Sequence, residues 1–278
     1  MLETISLLPN VKISSSGPPL LIAGPCVLQT RDLALEIAET IKGICSRYEM
    51  PYIFKASFDK ANRTSGGSHR GPGLEEGLRM LEDVRREVGV PVLTDVHERA
   101  QVPGVAEVVD MLQVPAFLCR QTDLLMACGA SGKPVNVKKG QFLAAEDMAF
   151  AVEKVKAGGN VPVTLTERGS TFGYRDLVVD LRSLVTMRRF APVIFDGTHA
   201  VQSPGSAGGR TGGNRDWVPM LVRGAVASGV DGLFLEVHPD PDSSPSDGPN
   251  MITPEMLERH LPVWIELDAT VREAGVRE

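Results

Sequence analysis

Short apolar runs alternate with stretches of helical periodicity along most of the chain. Residues 20–24 are apolar or small, and in residues 32–47 Leu33, Ile37, Ile41 and Ile44 recur at spacings of three or four. A short apolar run is typical of a buried strand, whereas a spacing of three or four predicts an amphipathic helix. The first predicted unit is therefore a strand followed by a helix.

The same alternation recurs in seven further predicted strand–helix units. They are 52–57 with 73–88, 91–96 with 100–105, 111–114 with 121–129, 134–138 with 144–157, 161–166 with 174–189, 192–196 with 217–228, and 232–236 with 254–274. Strands without polar alternation, set between helices, predict a parallel sheet covered by helices, and eight units predict a closed barrel. We therefore predict an α/β protein with a single (β/α)8 TIM barrel. One domain is expected over residues 1–278, with a short N-terminal hairpin over residues 4–8 and 11–14.

Composition and charge narrow the class of protein. Hydrophobic residues at 42% and charged residues at 23% are ordinary globular values, and the net charge of −6 argues against a nucleic-acid surface. Residues 1–10 lack the pattern of a signal peptide, and no apolar run reaches membrane-spanning length. The four cysteines show no Cys-x-x-Cys spacing and are expected to stay reduced. We expect a cytoplasmic protein with no nucleic-acid or membrane partner.

Polar residues gather where the predicted strands end, and that end of such barrels carries the chemistry. One group follows strands one, seven and eight, which become neighbours when a barrel closes: Cys26, His199, Glu236 and Asp247. Taken singly, each has an ordinary explanation as a packed cysteine, a hydrogen-bonded histidine or a solvated acid. Together their sulfur, nitrogen and oxygen atoms suit a divalent zinc, iron, manganese or cobalt ion better than magnesium.

A second group is cationic and is drawn from strands two, five and six: Lys55, Lys60, Lys138 and Arg168. Four converging cations repel one another unless an anion or nearby carboxylates compensate them. The carboxylates available for pairing are Asp95, Glu167 and Asp196, and we expect both kinds of compensation. The anion predicted for this group is a substrate that carries carboxylate and phosphate groups.

A third group lies in the loop after strand two and near strand four: Asn62, Arg63, Thr64 and Arg120. Its donors suit a second phosphate, although Arg120 is equally explained as a helix-entry residue. Two long loops rich in Gly, Pro and Ser, residues 203–213 and 239–248, follow strands seven and eight. They are either lids over the site or plain surface loops, and their position at the catalytic end favours lids.

Five segments carry a resemblance to a known family. They are 54–63 (FKASFDKANR), 112–123 (LQVPAFLCRQTD), 136–141 (NVKKGQ), 166–170 (TERGS) and 195–199 (FDGTH). In this order they closely resemble the 3-deoxy-D-manno-octulosonate 8-phosphate synthases, over roughly residues 20–252. The related seven-carbon synthase typically has Lys-Pro-Arg-Thr in the loop where this chain has Lys60-Ala61-Asn62-Arg63. The loop therefore favours arabinose 5-phosphate.

The resemblance implies a reaction and a set of binding roles. Phosphoenolpyruvate condenses with arabinose 5-phosphate and water to give an eight-carbon phosphosugar acid, a lipopolysaccharide precursor, and phosphate. The resemblance implies that phosphoenolpyruvate is held by Lys55, Ser57, Lys60, Gln113, the Ala116 backbone, Lys138 and Arg168. It implies that the pentose phosphate is held by Asn62, Arg63, Thr64 and, from a neighbouring subunit, Arg120. Thr64 stands where serine is expected, and the hydroxyl group is retained.

The resemblance also implies a cofactor, catalytic residues and an assembly. Cysteine after the first strand resembles the metal-dependent members, whose expected ligands match Cys26, His199, Glu236 and Asp247. The residues expected to act in catalysis are Lys60, Asn62, His199 and Asp247. The family suggests a homotetramer. Two alternatives stay open: the seven-carbon synthase that uses erythrose 4-phosphate, and a phosphosugar-binding barrel without catalysis.

Overall fold

Eight parallel strands close into a barrel in the computed structural model, which describes residues 4–14, 16–62, 69–173, 175–207 and 210–276. The barrel strands are β1 Leu20–Gly24, β2 Tyr52–Lys55, β3 Val92–Asp95, β4 Met111–Val114, β5 Val135–Lys138, β6 Val163–Glu167, β7 Val193–Asp196 and β8 Gly232–Glu236. They pair in chain order, and β8 pairs with β1 to close the ring. The predicted TIM barrel is confirmed.

A helix follows each barrel strand and packs on the outside. The helices are α1 Arg31–Ser46, α2 Leu74–Asp83, α3 Val102–Val108, α4 Thr122–Ala130, α5 Met148–Gly158, α6 Arg182–Arg188, α7 Val218–Ala227 and α8 Pro254–Glu273. Two of them begin at side-chain caps, because the hydroxyls of Thr30 and Thr253 accept backbone N–H groups of the first turn. The strand-then-helix order is thus encoded partly by local capping.

Alternate residues of most barrel strands enter two separate cores; on β5 and β6 the inward residues are polar instead. Outward residues pack under the helices, whereas Ile22, Ile53, Leu93 and Phe234 belong to a smaller cluster inside the barrel. The predicted N-terminal hairpin is confirmed as Ile5–Leu8 paired with Val11–Ile13, and its apolar residues join this inner cluster. The hairpin therefore closes the N-terminal end of the barrel, and the polar end is opposite.

One predicted helix is wrong over its first half. Instead of a helix over residues 174–189, Ser170–Thr171 pairs antiparallel with Leu177–Val178, and the helix begins only at Arg182. Asp180 forms a side-chain turn at this late start, since its carboxylate accepts the Arg182 N–H at 3.0 Å. Tyr174 lies outside the described residues.

Other boundaries shift by smaller amounts. The helix predicted over residues 73–88 is α-helical only to Asp83 and continues as a π-helix, Val84–Val88, ending at Gly89 with φ 71°. The helix predicted from residue 144 begins at Met148 after tight turns. The strand predicted over residues 52–57 ends at Lys55, and Ser57 forms a lone bridge with Val27. In each case the apolar pattern marks the element and local backbone bonding marks its end.

The two long loops adopt defined shapes. The first contains a two-stranded hairpin, Gln202–Ala207 paired with Arg210–Gly213. The second contains 3-10 turns at Pro241–Ser243 and Gly248–Asn250. Neither shape tests whether the loops act as lids. Among the described residues, no helix has the length and apolar character needed to cross a membrane. All four cysteines are buried free thiols.

Candidate active site

The polar residues predicted at the strand ends occupy inward positions at the C-terminal end of the barrel. Successive strands contribute buried polar side chains there: Lys55, Asp95, Gln113, Lys138, Thr166, Asp196 and Glu236. They have the same parity as the apolar residues of the inner cluster, one step further along each strand. Along these strands the barrel interior therefore changes from apolar to polar or charged between one inward residue and the next.

Lys55 lies at the centre of the cationic group. Its Nζ donates to Ser57 Oγ at 2.9 Å and lies 3.6 Å from carboxylate oxygens of both Asp95 and Glu236. The side chain is almost fully buried. A buried ammonium needs such partners, because desolvation without them is costly. Asp95 and Glu236 therefore compensate the Lys55 ammonium inside the barrel.

Lys138 is held by a carboxylate and an aromatic ring. Its Nζ forms an ion pair with Asp196 and lies 3.6 Å from the centroid of the Phe234 ring. Lys55 Nζ lies 5.5 Å from the same centroid. The negative face of an aromatic ring attracts cations. Phe234 therefore forms a floor that two ammonium groups share.

Arg168 has one guanidinium nitrogen paired and one free. Nη2 donates to Gln202 Oε1 at 2.5 Å, while Nη1 is buried without a hydrogen-bond partner among the described residues. A buried unpaired guanidinium N–H is costly unless a ligand completes it. Arg168 is thus equipped to bind an anion.

The carboxylate predicted to pair with the cations at the end of β6 has a different partner. Glu167 forms its ion pair with Lys139, at 3.6 Å, and its Oε1 accepts the backbone N–H groups of Arg168 and Gly169. Of the three pairings considered from the sequence, those of Asp95 and Asp196 with the cationic group are present. Glu167 instead holds the backbone that carries Arg168.

Three of the four predicted metal ligands come together. Ligand atoms of Cys26, Glu236 and Asp247 lie within 4.8 Å of one another. Cys26 Sγ lies 3.2 Å from Asp247 Oδ2 and 3.0 Å from Ser246 Oγ, so its single S–H group can donate to either oxygen. Asp247 has a φ of 52°, uncommon for a residue with a side chain, and such strain is often found at functional sites.

His199 lies beside this group and is oriented by Asp196. Its Nδ1 is 2.7 Å from Asp196 Oδ2, and its Nε2 is 3.5 Å from Glu236 Oε1. A ring N–H donated to a carboxylate fixes the tautomer and leaves the other nitrogen free to bind a metal. His199 Nε2 thus lies next to Glu236, at the edge of the group formed by Cys26, Glu236 and Asp247.

The donor atoms of this region fit a metal ion. Both carboxylate oxygens of Glu236 are buried and lack a hydrogen-bond donor among the residues that the structure describes. Thiol, imidazole and carboxylate together are a ligand set for borderline-soft divalent ions such as zinc. A bound ion would supply the partner that the Glu236 carboxylate lacks. The Lys55 and Lys60 ammonium groups lie 3.6 and 3.8 Å from this carboxylate, which is too far for a hydrogen bond.

Burial and neighbouring charges act against each other on the pKa values of the site. Burial raises the pKa of the Cys26 thiol well above its usual range, and the Glu236 carboxylate raises it further. Burial also raises the pKa of Glu236 and Asp247, but nearby cations lower both below their ordinary values. Burial lowers the pKa of Lys60, yet the surrounding anionic groups raise it overall. Both carboxylates and Lys60 are therefore charged at neutral pH.

The remaining predicted residues occupy different environments. Lys60 Nζ is 3.8 Å from Glu236 Oε1, and Ala116 begins the 3-10 turn Ala116–Leu118, whose first N–H groups have no partner within the turn. Asn62 is exposed in the turn after β2, and Arg120 is exposed before α4. Arg63 and Thr64 lie outside the described residues.

Some residues of the site were not predicted from the sequence. In the sequence, Phe234 is indistinguishable from the other apolar strand residues. The closed barrel is what places its ring under Lys55 and Lys138. Gln202 lies at the start of a Gly-rich loop, but its amide joins Arg168 to Asp247 by accepting from one and donating to the other. The signal available for Phe234 was its position two residues before Glu236, on the same face of β8, and the signal for Gln202 was its place in the loop after β7.

A match to a protein-family model gives the family of this chain. The DAHP synthetase I family model matches residues 4–273, and the chain therefore belongs to that family.

Similar proteins within this family share one name. The chain is 56% identical over 263 residues to the 2-dehydro-3-deoxyphosphooctonate aldolase of Desulfatibacillum aliphaticivorans, covering 94% of this chain and 96% of the relative. It is 57% identical over 270 residues to the protein of that name from Magnetococcus marinus, covering 97% and 94%. For the Xylella fastidiosa (strain M12) protein of the same name the identity is 53% over 268 residues, covering 96% and 97%. The resemblance found in the sequence motifs is confirmed.

Proposed function

We propose that this chain condenses phosphoenolpyruvate with D-arabinose 5-phosphate and water to give 3-deoxy-D-manno-octulosonate 8-phosphate and phosphate. The observation that carries the proposal is the junction of two incomplete groups: Arg168 Nη1 and the Glu236 carboxylate oxygens, which lack hydrogen-bond partners among the described residues. Two hydrogen bonds link Arg168 through Gln202 to Asp247, and an Asp247 carboxylate oxygen lies within 4.8 Å of one of Glu236. An anion-binding site and a metal-binding site thus adjoin, as a reaction between two phosphorylated molecules requires. Near-full-length relatives named 2-dehydro-3-deoxyphosphooctonate aldolase support this choice over the seven-carbon alternative.

The cationic group is assigned to phosphoenolpyruvate. Arg168 offers a free N–H, while Lys55 and Lys138 are buried and lie beside carboxylate partners that hold their ammonium groups in place. Cations held in a low-dielectric cavity attract phosphate and carboxylate strongly, and their positions are fixed before the ligand arrives. Gln113, Ser57 and the Ala116 backbone supply neutral donors around the same ligand.

The reaction needs one group that stabilises the aldehyde oxygen and one group that orients the attacking water. Carbon 3 of phosphoenolpyruvate forms a bond to the sugar aldehyde, and water adds at carbon 2. The carbon 2–oxygen bond then breaks, so that a ketone and free phosphate result. Lys60, kept protonated by the surrounding anions, is assigned to the aldehyde oxygen as it gains negative charge, with Asn62 next to it. Asp247, kept ionised, accepts a hydrogen bond from the attacking water.

Cys26, His199, Glu236 and Asp247 are proposed to hold a divalent ion. When bound, such an ion supplies Lewis-acid polarisation of an oxygen atom in the site. Asp196 keeps His199 in the tautomer that a ligand needs, and Ser246 holds the Cys26 sulfur beside Asp247. Elemental analysis of protein purified without chelator tests this assignment. Protein without a transition metal that also fails to take one up would refute it.

The sugar phosphate is assigned to Asn62, Arg63 and Thr64, together with Arg120 of a neighbouring chain. This assignment implies an assembly, for which we propose four chains, and the exposure of Arg120 is compatible with such a role. We also propose a cytoplasmic location, because both substrates are phosphorylated and do not cross a bilayer unaided. Light scattering coupled to size-exclusion chromatography tests the assembly.

A comparison of sugar substrates tests the function. Phosphate release from phosphoenolpyruvate should be faster with arabinose 5-phosphate than with erythrose 4-phosphate. Phosphoenolpyruvate with heavy oxygen in its carbon–oxygen–phosphorus bridge should release labelled phosphate, since the carbon–oxygen bond breaks. A preference for erythrose 4-phosphate would instead support the seven-carbon synthase. Binding of phosphoenolpyruvate without turnover of either sugar would support a non-catalytic barrel.

A further inference from the structure

A line of buried polar side chains crosses the barrel directly beside the cationic group. Asp95, Gln113, Asn136 and Thr164 are register partners on the adjacent strands β3, β4, β5 and β6. All four are buried, and Asn136 and Thr164 have no exposed surface. Inward residues at matched register in neighbouring strands lie side by side. They therefore form one continuous row, which we call the polar row together with Thr166.

Hydrogen bonds link every neighbour in the polar row. The hydroxyls of Thr164 and Thr166 each donate to Asn136 Oδ1 at 2.8 Å. Asn136 Nδ2 donates to Gln113 Oε1 at 2.7 Å, and Gln113 Nε2 donates to Asp95 Oδ1 at 2.6 Å. The row thus runs without interruption from β6 to β3.

The direction of these bonds is set at the Asp95 end. An ionised carboxylate can only accept, so Gln113 must turn its nitrogen toward Asp95 and its oxygen toward Asn136. Asn136 must then turn its own nitrogen toward Gln113. Its oxygen faces the two threonines, whose hydroxyls rotate to donate. Each amide in the row consequently has one orientation that satisfies both neighbours.

The Asp95 end of the row leads into the proposed phosphoenolpyruvate site. Asp95 Oδ2 accepts a hydrogen bond from Ser57 and lies 3.6 Å from Lys55 Nζ. Lys55 in turn donates to Ser57 at 2.9 Å. Gln113 retains one N–H on Nε2 beyond the bond to Asp95. The orientation of Gln113 therefore decides whether a donor or an acceptor is presented to the anion.

Stability alone does not account for a polar row at this level. One layer below, the barrel interior is filled by apolar residues that include Ile22, Ile53, Leu93 and Met111. Replacing a buried hydrogen-bonded set by apolar groups of the same shape is often neutral or stabilising. A row that borders the charged site and consists of directional groups is better explained by orientation than by packing.

We propose that Asn136, Thr164 and Thr166 are positioning residues that fix the amide of Gln113, and through Asp95 the Ser57–Lys55 pair, for binding phosphoenolpyruvate. The identity of the ligand rests on the function proposed above. None of the three residues belongs to the predicted binding set, and they act only through Gln113 and Asp95. Removing these side chains should therefore weaken the binding of phosphoenolpyruvate more than the binding of the sugar phosphate.

Two matched double variants separate orientation from packing. Thr164→Val with Thr166→Val keeps the volume but removes both hydroxyls, whereas Thr164→Ser with Thr166→Ser keeps the hydroxyls but removes two methyl groups. The valine pair should raise the KM for phosphoenolpyruvate by roughly threefold to thirtyfold. It should change the KM for arabinose 5-phosphate by less than about twofold. It should also lower the thermal unfolding midpoint, because Asn136 Oδ1 is left buried without a donor. The serine pair should lower the midpoint and keep the KM for phosphoenolpyruvate.

Asn136→Leu provides a second, independent variant in case the valine pair does not fold. It removes the amide that orients Gln113 and should raise the same KM without a matching change for the sugar. If KM for phosphoenolpyruvate follows the unfolding midpoint across all variants, the row is structural and the positioning proposal is wrong. A wild-type chain that does not turn over phosphoenolpyruvate with either sugar would instead refute the proposed function, and the ligand assignment with it.

Discussion

Lys138→Met removes a buried charge from the proposed phosphoenolpyruvate site while keeping most of the side-chain stem. Loss of one partner of a buried charge-assisted contact typically costs about 2 kcal/mol or more. The lower figure applies here because Lys55 lies over the same Phe234 ring and Arg168 retains a free N–H, so other cations remain. At about 1.4 kcal/mol per factor of ten, the KM for phosphoenolpyruvate should rise roughly thirtyfold.

The effect of Lys138→Met on folding should be smaller than the loss of a buried ion pair normally causes. Asp196 keeps three other contacts: the His199 N–H at 2.8 Å, the Thr198 hydroxyl at 3.1 Å and His199 Nδ1 at 2.7 Å. Burial also lowers the pKa of Lys138, which means that the protein interior disfavours its charged form. We therefore expect the free energy of unfolding to fall by less than about 3 kcal/mol.

The assay is steady-state phosphate release as a function of phosphoenolpyruvate concentration at saturating arabinose 5-phosphate. Lys42→Met is a control for the substitution itself, because it removes an ammonium that donates to the Val88 carbonyl at 2.6 Å in the helical layer, on an exposed residue away from the site. The control should leave KM unchanged. A folded Lys138→Met protein whose KM stays within about twofold of wild type would refute the reasoning. A fall in kcat alone would show that Lys138 acts only in the transition state.

Three further variants test the metal group and the floor of the site. Cys26→Ala should lower the bound metal measured by elemental analysis and abolish phosphate release; full metal content would exclude Cys26 as a ligand. Asp196→Asn should weaken metal affinity by about 10–100-fold in a chelator competition, because His199 loses its carboxylate acceptor, and unchanged affinity would contradict that role. Phe234→Leu should raise the KM for phosphoenolpyruvate about threefold through the lost ring beneath Lys138. A loss of thermal stability without any change in this KM would make Phe234 a packing residue only.

The barrel was predictable because its signals are local and repeated. Each strand is a short apolar run, each helix has its own three-and-four spacing, and the number of units defines closure. The helix predicted from residue 174 failed for a local reason. The residues before Asp180 pair as strands, and Asp180 forms a side-chain turn with Arg182 at the point where α6 begins. Periodicity over residues 174–189 does not reveal that competition.

The cations and metal ligands were predictable as a set, but their pairing was not. Chain order places Cys26, Glu236 and Asp247 on strands that close the barrel, so their convergence follows from topology. Which carboxylate faces which cation depends on register and side-chain length. Glu167 therefore turned out to pair with Lys139 and not with the cationic group. Gln202 lies in a loop whose path no periodic pattern specifies.

The metal group and the cationic group share the Glu236 carboxylate, and this sharing explains how so many buried charges coexist. Glu236 lies within 3.8 Å of Lys55, Lys60 and His199, so it compensates cations and also faces the metal region. A divalent ion held by Cys26, His199, Glu236 and Asp247 would share the Glu236 carboxylate with Lys55 and Lys60, whose positive charge would then be less fully compensated. An anion bound by the lysines would restore that compensation. Because coupling between two ligands is reciprocal, we expect the proposed ion and the proposed anion to favour each other's binding.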